Sequence, residues 1–338
     1  MINFQLIFSL LATITKTTAS DIKPSEADIQ FHSWCESVGI DISPSIQLAT
    51  TPLSVAGRGV FAVDDLVEGE TVVKIPGHCV FAPVLAAQQF PSVANDLRLR
   101  RRHSQGRWFS RMFRRVMRKK NDIDIDSTVW QAELTAYALE AIESNHPWAF
   151  WIEQWQRDDP ILNLFESGVL FTDEEAVSVA SKELHKMLPE LSELFIQAAI
   201  QIRLQRFQEH EKIFLRQKNH DDNKKASIAR MYAILGSHAL DIGDDITAVV
   251  PMYDMINHSL NPNLGFFFNG ESFEIFALHN ITRGEELFFC YNKIEEIENE
   301  GWTEFNALWT LVQWGIPISS KDANEQLGMI NKERQVEL

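Results

Sequence analysis

The chain has 338 residues and a formal net charge of −16, with 47 Asp and Glu against 31 Lys and Arg, 45% hydrophobic and 10% aromatic residues. That length holds one large or two medium domains, and the apolar content is ample for a buried core, which excludes an unfolded polypeptide. Its three cysteines, Cys35, Cys79 and Cys290, lie far apart, with no Cys-x-x-Cys and no histidine at ligand spacing, which argues against a disulfide framework and against a zinc module.

Residues 1–20 open with an apolar run, Leu6 to Ile14, followed by Lys16 and the small-residue stretch Thr17-Thr18-Ala19-Ser20, which suits cleavage after Ala19. The run is too short to cross a bilayer as a helix. A leader is expected here, addressing the secretory pathway or an organelle of plastid type and leaving a mature protein that does not span a membrane. Met1 to Gln5 adds no positive charge beyond the amino terminus, so a cytoplasmic or nuclear protein is the alternative.

Phe31, Trp34, Cys35 and Val38 fall at helical spacing, and Gly39 is a natural stop. Leu53 to Pro76 is expected to run strand, glycine turn, strand. In that turn, Gly57-Arg58-Gly59 lets the backbone approach a ligand, Val60 and Phe61 begin the next strand, and Glu70-Thr71-Val72 lie in the strand after it.

Between Arg98 and Lys120 there are eleven Lys and Arg and no Asp or Glu, which leaves 20 basic residues against 47 acidic ones elsewhere. Trp108, Phe109, Met112, Phe113, Val116 and Met117 would share one face of a helix. This basic insert has two readings. It is either a functional patch (a nuclear-import signal, a calmodulin-like target, or a contact for anionic lipid or nucleic acid) or a solvated insertion whose apolar face packs on the protein or whose charges offset the acidic body.

Val129 to Phe214 is expected to be helical, with Leu134, Tyr137, Ala138, Ala141 and Ile142 on one helix that Asn145-His146-Pro147 ends. Trp148, Trp151 and Trp155 are expected in the core. Leu194, Ala198 and Ile202 are expected on one face of a further amphipathic helix. Lys218 to Lys225 is expected to be a loop, and Ile228 to Asp241 a helix that ends near Ser237-His238.

From Val250 to Asn292 the chain reads VPMYDMINHSLNPNLGFFFNGESFEIFALHNITRGEELFFCYN. Asp254, Asn257 and His258 are polar groups in an apolar setting and must find partners if buried. Asn269-Gly270 separates two aromatic-rich runs as a two-residue hairpin loop, and Thr282-Arg283-Gly284-Glu285 turns the chain into a third strand, Glu286 to Tyr291, so that a short antiparallel meander ties the polar elbow to the tyrosine.

The Asn-His-Ser elbow preceded by an Asp, the hairpin, and the Gly-Glu-Glu strand ending in Tyr291 together resemble the carboxyl half of the SET methyltransferase domain. The subgroup is that of the Rubisco large-subunit lysine methyltransferases and the actin-histidine methyltransferase. The resemblance covers Phe31 to Val84 and Ile228 to Gly315, with Pro147 to Phe214 as the helical segment that splits the domain in relatives. It implies an α+β protein with a SET β-fold of small twisted sheets and a pseudoknot. The domain would span 29–316, with the 98–120 insert and a 129–225 helical insertion, followed at 317–338 by the remnant or start of a carboxyl-terminal substrate domain.

The same resemblance implies S-adenosyl-L-methionine as cofactor, no metal, a protein substrate bearing the methylated side chain, and Tyr291 as catalytic residue. Cofactor-binding positions would be Gly57, Arg58, Gly59, Glu70, Thr71, Val72, His238, Asp254, Asn257, His258 and Trp314. His238 stands where relatives have arginine, an acidic piece, Ile294 to Glu300, follows Tyr291, and Asn306 to Gly315 is one residue longer than usual. Three functions stay open: lysine N-methylation, histidine methylation, and a SET-fold binding module without catalysis.

Overall fold

The computed structural model describes residues 23–50, 58–101, 129–158, 174–212, 222–243, 246–292, 297, 301–314 and 316–327. The expected leader, most of the basic insert and the Ile294 to Glu300 piece therefore fall outside the described residues, apart from Arg98 to Arg101 and Ile297. The chain divides into two compact units. The first comprises Met1–Val80, Leu240–Trp302 and Lys321–Leu338, and the second Phe81–Ala239 and Thr303–Ser320.

The first unit begins with helix α1, Glu26–Ser37, started by a capping box in which the Ser25 hydroxyl accepts from the Asp28 amide and the Asp28 carboxylate accepts from the Ser25 amide. Phe31, Trp34 and Cys35 form its buried face, as their spacing predicts. Strands β1 (Asp41–Ile42), β2 (Ile46–Thr50), β3 (Arg58–Ala62) and β4 (Thr71–Pro76) follow. A strand at 46–50 precedes this region, and the strand expected to start at Leu53 falls on residues 51–57, outside the described set.

Later in the chain come β5 (Leu240–Asp241), β6 (Thr247–Ala248), β7 (Asn257–His258), β8 (Leu264–Phe268), β9 (Ser272–Ala277) and β10 (Glu286–Phe289). They build two four-stranded sheets, ordered β1-β4-β9-β8 and β2-β3-β10-β7, and a two-stranded one, β5-β6. Val73, Ile75, Phe273 and Ile275 alternate inward across the β4-β9 pair and are buried, the period-2 pattern of a sheet with one face in a core.

The hairpin between β8 and β9 differs from expectation by one residue. The Asn269 amide donates to the Ser272 carbonyl, so the two-residue turn is Gly270-Glu271, with Gly270 at φ +89°, and the Asn269 side chain accepts from both the Glu271 and Ser272 amides. That side-chain bond holds Asn269 at the shoulder of the turn and moves the positive-φ demand onto glycine alone.

The second unit is helical: α2 (Pro83–Gln89), α3 (Val129–Glu143), α4 (Trp148–Asp158), α5 (Glu174–Met187), α6 (Glu193–His210), α7 (Asp222–His238) and α8 (Glu304–Trp314). Asn145 takes φ +52°, and α4 starts directly after Pro147, so the break falls where the sequence predicts it. Trp148, Trp151 and Trp155 are buried around Phe81, with the Phe81 and Trp148 rings 5.2 Å apart and those of Trp151 and Trp155 4.9 Å apart.

Two expectations are corrected here. The buried face of α6 is Ile196, Ile200, Leu204 and Phe207, while Leu194 and Ile202 are exposed. The two stripes sit two residues out of phase, about 200° around a helix, and only tertiary packing chooses between them. The loop expected over Lys218 to Lys225 gives way to helix from Asp222. At the start of the basic insert, Arg100 pairs with Asp96 at 2.5 Å and Arg101 with Glu133 at 3.9 Å, so these two charges are offset by the acidic body. Among the described residues, no helix is long and apolar enough to cross a membrane.

Candidate functional site

Strand β10 lies between β3 and β7, antiparallel to the first (Glu286 opposite Phe61, Leu287 opposite Val60) and parallel to the second (Phe288 opposite Asn257, Phe289 opposite His258). One strand thus brings together Arg58 and Gly59, which lie in β3 itself rather than in a turn ahead of Val60, the Asn-His elbow, and Tyr291.

Asn257 is the strut of this arrangement. Its side-chain amide donates to the Arg58 carbonyl at 2.7 Å and to the Glu286 carboxylate at 2.7 Å, tying β3, β7 and β10 together. Gly59 is needed alongside: a Cβ there would collide with the Glu286 carboxylate and lie 3.0 Å from the Asn257 amide nitrogen. Both amide hydrogens of Asn257 are therefore used inside the protein.

His258 holds Tyr291 from the other side. The Tyr291 backbone amide donates to His258 Nδ1 at 3.0 Å, the two rings are 5.1 Å apart, and the Tyr291 hydroxyl donates to the Ile256 carbonyl at 2.6 Å. Because Nδ1 accepts, the ring is the neutral tautomer with its proton on Nε2. Burial pushes the His258 pKa down to about 4, which keeps it uncharged at neutral pH. Among the described residues, its buried Nε2 has no hydrogen-bond partner.

Asp254 sits in the 3₁₀ turn Tyr253–Met255, entered through Met252 at φ +68° and ψ −41°, a sparsely populated γ-turn conformation in a buried side chain. Tyr253 stacks on Phe289 at 4.3 Å, so the turn before the elbow is packed onto β10.

Three supports escaped the sequence reading. Asn263 accepts from the Phe288 amide at 2.7 Å and donates to the Glu286 carbonyl at 2.9 Å, clamping both ends of β10's approach to Tyr291. Glu286 is the second glutamate of the Gly-Glu-Glu run, and Asn263 closes the Asn-Pro-Asn turn, so both were visible as residues though not as partners. Asp28, marked only by its Ser-x-x-Asp cap signature, forms a buried ion pair with Arg58 at 3.1 Å. Arg58 also lies over the Phe31 ring at 5.8 Å, so its guanidinium serves α1 while its carbonyl serves Asn257.

The other expected positions are distributed elsewhere. Glu70, Thr71 and Val72 belong to or adjoin β4 in the other sheet, where the Glu70 carboxylate accepts from the Val67 amide and its carbonyl from the Ala277 amide. His238 and Trp314 belong to the second unit. His238 Nδ1 faces the Ile234 carbonyl at 3.0 Å and its ring lies 5.7 Å from Trp155, while Trp314 ends α8. Gly57 is outside the described residues.

The donor set suits a cationic sulfonium: carbonyl oxygens of Arg58 and Ile256, the Tyr291 hydroxyl, the Glu286 carboxylate and an uncharged His258, with the Arg58 charge balanced by Asp28. The orphaned Nε2 proton of His258 adds one buried donor for a polar group. Among the described residues, no group of three or more His, Cys, Asp or Glu could hold a metal ion.

N-lysine methyltransferase setd6 of Xenopus laevis is 20% identical over 279 residues, covering 78% of this chain and 54% of the relative. Its counterpart in Xenopus tropicalis is 22% identical over 277 residues with the same coverage. The chain thus spans about half the length of the curated relatives it matches. Among solved structures, Rubisco LSMT bound to AdoMet aligns at TM-score 0.49 and 13% identity over 87% of this chain and 57% of that one, and the LSMT SET domain bound to lysine and AdoHcy at TM-score 0.47 and 13% identity over 87% and 58%. Residues 57–292, more than half of the chain, match the SET domain family, and the chain belongs to it.

Proposed function

We propose that the protein is an S-adenosylmethionine-dependent protein methyltransferase with lysine as the acceptor. The observation that carries this reading is the seat of Tyr291, whose hydroxyl and amide are held by the Ile256 carbonyl at 2.6 Å and His258 at 3.0 Å within a SET-family chain. The naming of the curated relatives as N-lysine methyltransferases supports a protein substrate and lysine.

When bound, S-adenosylmethionine supplies an electrophilic methyl group on a positively charged sulfur. Asn257 and Gly59 keep β3, β7 and β10 at the spacing that lets Arg58 and Glu286 present oxygens to that charge, and His258 offers its Nε2 proton to a polar group of the cofactor. The acceptor lysine, with an ordinary pKa of ~10.4, must react as neutral amine. Tyr291 donates its only hydroxyl proton to the Ile256 carbonyl, so its oxygen is oriented to accept from the amine and align its lone pair. Enclosure by Tyr291, the uncharged His258 and apolar β10 neighbours disfavours the ammonium.

The test uses the full chain with a lysine-rich protein and radiolabelled S-adenosylmethionine, alongside calorimetry with S-adenosylhomocysteine. Wild type should bind and transfer, and Tyr291→Phe should bind while transfer falls ~10²–10⁴-fold. A Tyr291→Phe rate within a few-fold of wild type sinks the mechanism. Labelled histidine in the hydrolysate would reassign the acceptor, and no binding by wild type would make the protein a SET-fold binding module. For residues 98–120, an anionic partner is a secondary reading. Arg100 and Arg101 are already paired, so binding would have to come from the remaining basic residues and weaken with salt.

A further inference from the structure

The second unit contains two arginines, Arg203 and Arg206, one helical turn apart on α6 in a protein whose acidic residues outnumber its basic ones by 47 to 31. Among the described residues, neither makes an ion pair. Arg203 donates through Nη1 to the backbone carbonyl of Val312 on α8, and its Nη2 side lies against Gly236 of α7, where an added Cβ would stand 3.4 Å from it. Arg206 Nε is buried and has no hydrogen-bond partner.

The surroundings are polar and preset. Gln131 on α3 donates to the Tyr232 carbonyl at 2.7 Å, Gln313 on α8 donates to the Gly236 carbonyl, and the Tyr232 hydroxyl is 2.8 Å from His210 Nδ1. Side-chain amides thus satisfy the Tyr232 and Gly236 carbonyls, and among the described residues the Arg203 guanidinium is left with the neutral Val312 carbonyl. Burial pushes the Arg203 pKa down to about 10, with the Arg206 charge acting in the same direction. Two like charges side by side with desolvated donors are costly unless an anion joins them. A guanidinium edge formed by Nε and one Nη matches two oxygens of a single oxyanion.

We propose that Arg203 and Arg206, with Tyr232 beside them, form a binding site for a small oxyanion, a phosphate or a carboxylate, in the helical unit. The site is independent of the methyl-transfer reading. Arg206 supplies its unpartnered Nε and Arg203 the second charge. Occupancy would lock α6 to α7 and, through Val312, to α8, so the anion acts as a cross-link of the unit.

The experiment is thermal unfolding of the full chain at matched ionic strength in chloride, inorganic phosphate and acetate, for wild type, Arg206→Gln and Arg206→Lys. The melting temperature of wild type should rise with phosphate or acetate concentration, and whichever of the two does so identifies the class. In Arg206→Gln the fitted dissociation constant should weaken by about tenfold or more, the loss expected for a charged hydrogen bond. Arg206→Lys should fall between, keeping the charge and losing the fork. In chloride alone, Arg206→Gln should be at least as stable as wild type because it relieves repulsion. The proposal is overturned if neither anion raises the melting temperature of wild type, if all three proteins respond equally, or if Arg206→Gln is already destabilised in chloride.

Discussion

Replacing Asn257 tests whether this residue works as a strut or as a direct ligand contact. Asn257→Ala removes one bond to the neutral Arg58 carbonyl and one to the Glu286 carboxylate, both 2.7 Å long. The first is worth about 0.5–1.5 kcal/mol and the second about 1.5–3 kcal/mol. Because Asn257 is partly exposed, water replaces some of that, and a net loss of about 2 kcal/mol is expected. Asn257→Asp should be worse than alanine, since it sets an acceptor against a carbonyl and a carboxylate. The assay is chemical unfolding of the single variants, Glu286→Gln, and the double variant Asn257→Ala/Glu286→Gln. A coupling of about 1–2 kcal/mol between positions 257 and 286 is expected, as for residues in one hydrogen-bond network. Affinity for S-adenosylhomocysteine should fall along with stability. Zero coupling, or an Asn257→Asp protein as stable as wild type, would refute the strut.

Gly59→Ala should destabilise the first unit by about 1–3 kcal/mol through the collision with Glu286, and Gly59→Ala in a Glu286→Ala background should cost less, both read from unfolding midpoints. Asp28→Ala should cost about 3–5 kcal/mol by leaving the buried Arg58 guanidinium without its partner, and soluble yield and melting temperature report it. The His258 pKa is lowered from 6.5 to about 4, so the unfolded chain takes up this proton below pH 6.5 while the folded chain resists it until about pH 4. The contribution is therefore present above pH 6.5 and lost as pH falls towards 4, at most about 3 kcal/mol. A melting-temperature profile over that window should be flatter for His258→Gln than for wild type, and identical profiles would contradict it.

Local chemistry was legible in the amino-acid sequence wherever short-range rules decide the structure. The helix ending before Gly39, the tryptophan core after Pro147 and the aromatic hairpin follow from spacing, turn residues and alternation over a few neighbours, whereas the third strand does not extend an antiparallel meander but joins the other sheet between β3 and β7. Hairpin register was off by one residue because the Asn269 side chain competes for the turn's amides, and the buried face of α6 was misassigned because two apolar stripes lie on that helix. What only the tertiary structure decided is the set of partners about 200 residues apart or across strands: Asn257 with the Arg58 carbonyl, β10 slotted between β3 and β7, Asn263 clamping β10, and Arg58 committed to Asp28. No periodicity encodes such pairings, since a buried donor accepts any acceptor of suitable geometry, and which one it meets is set by strand order.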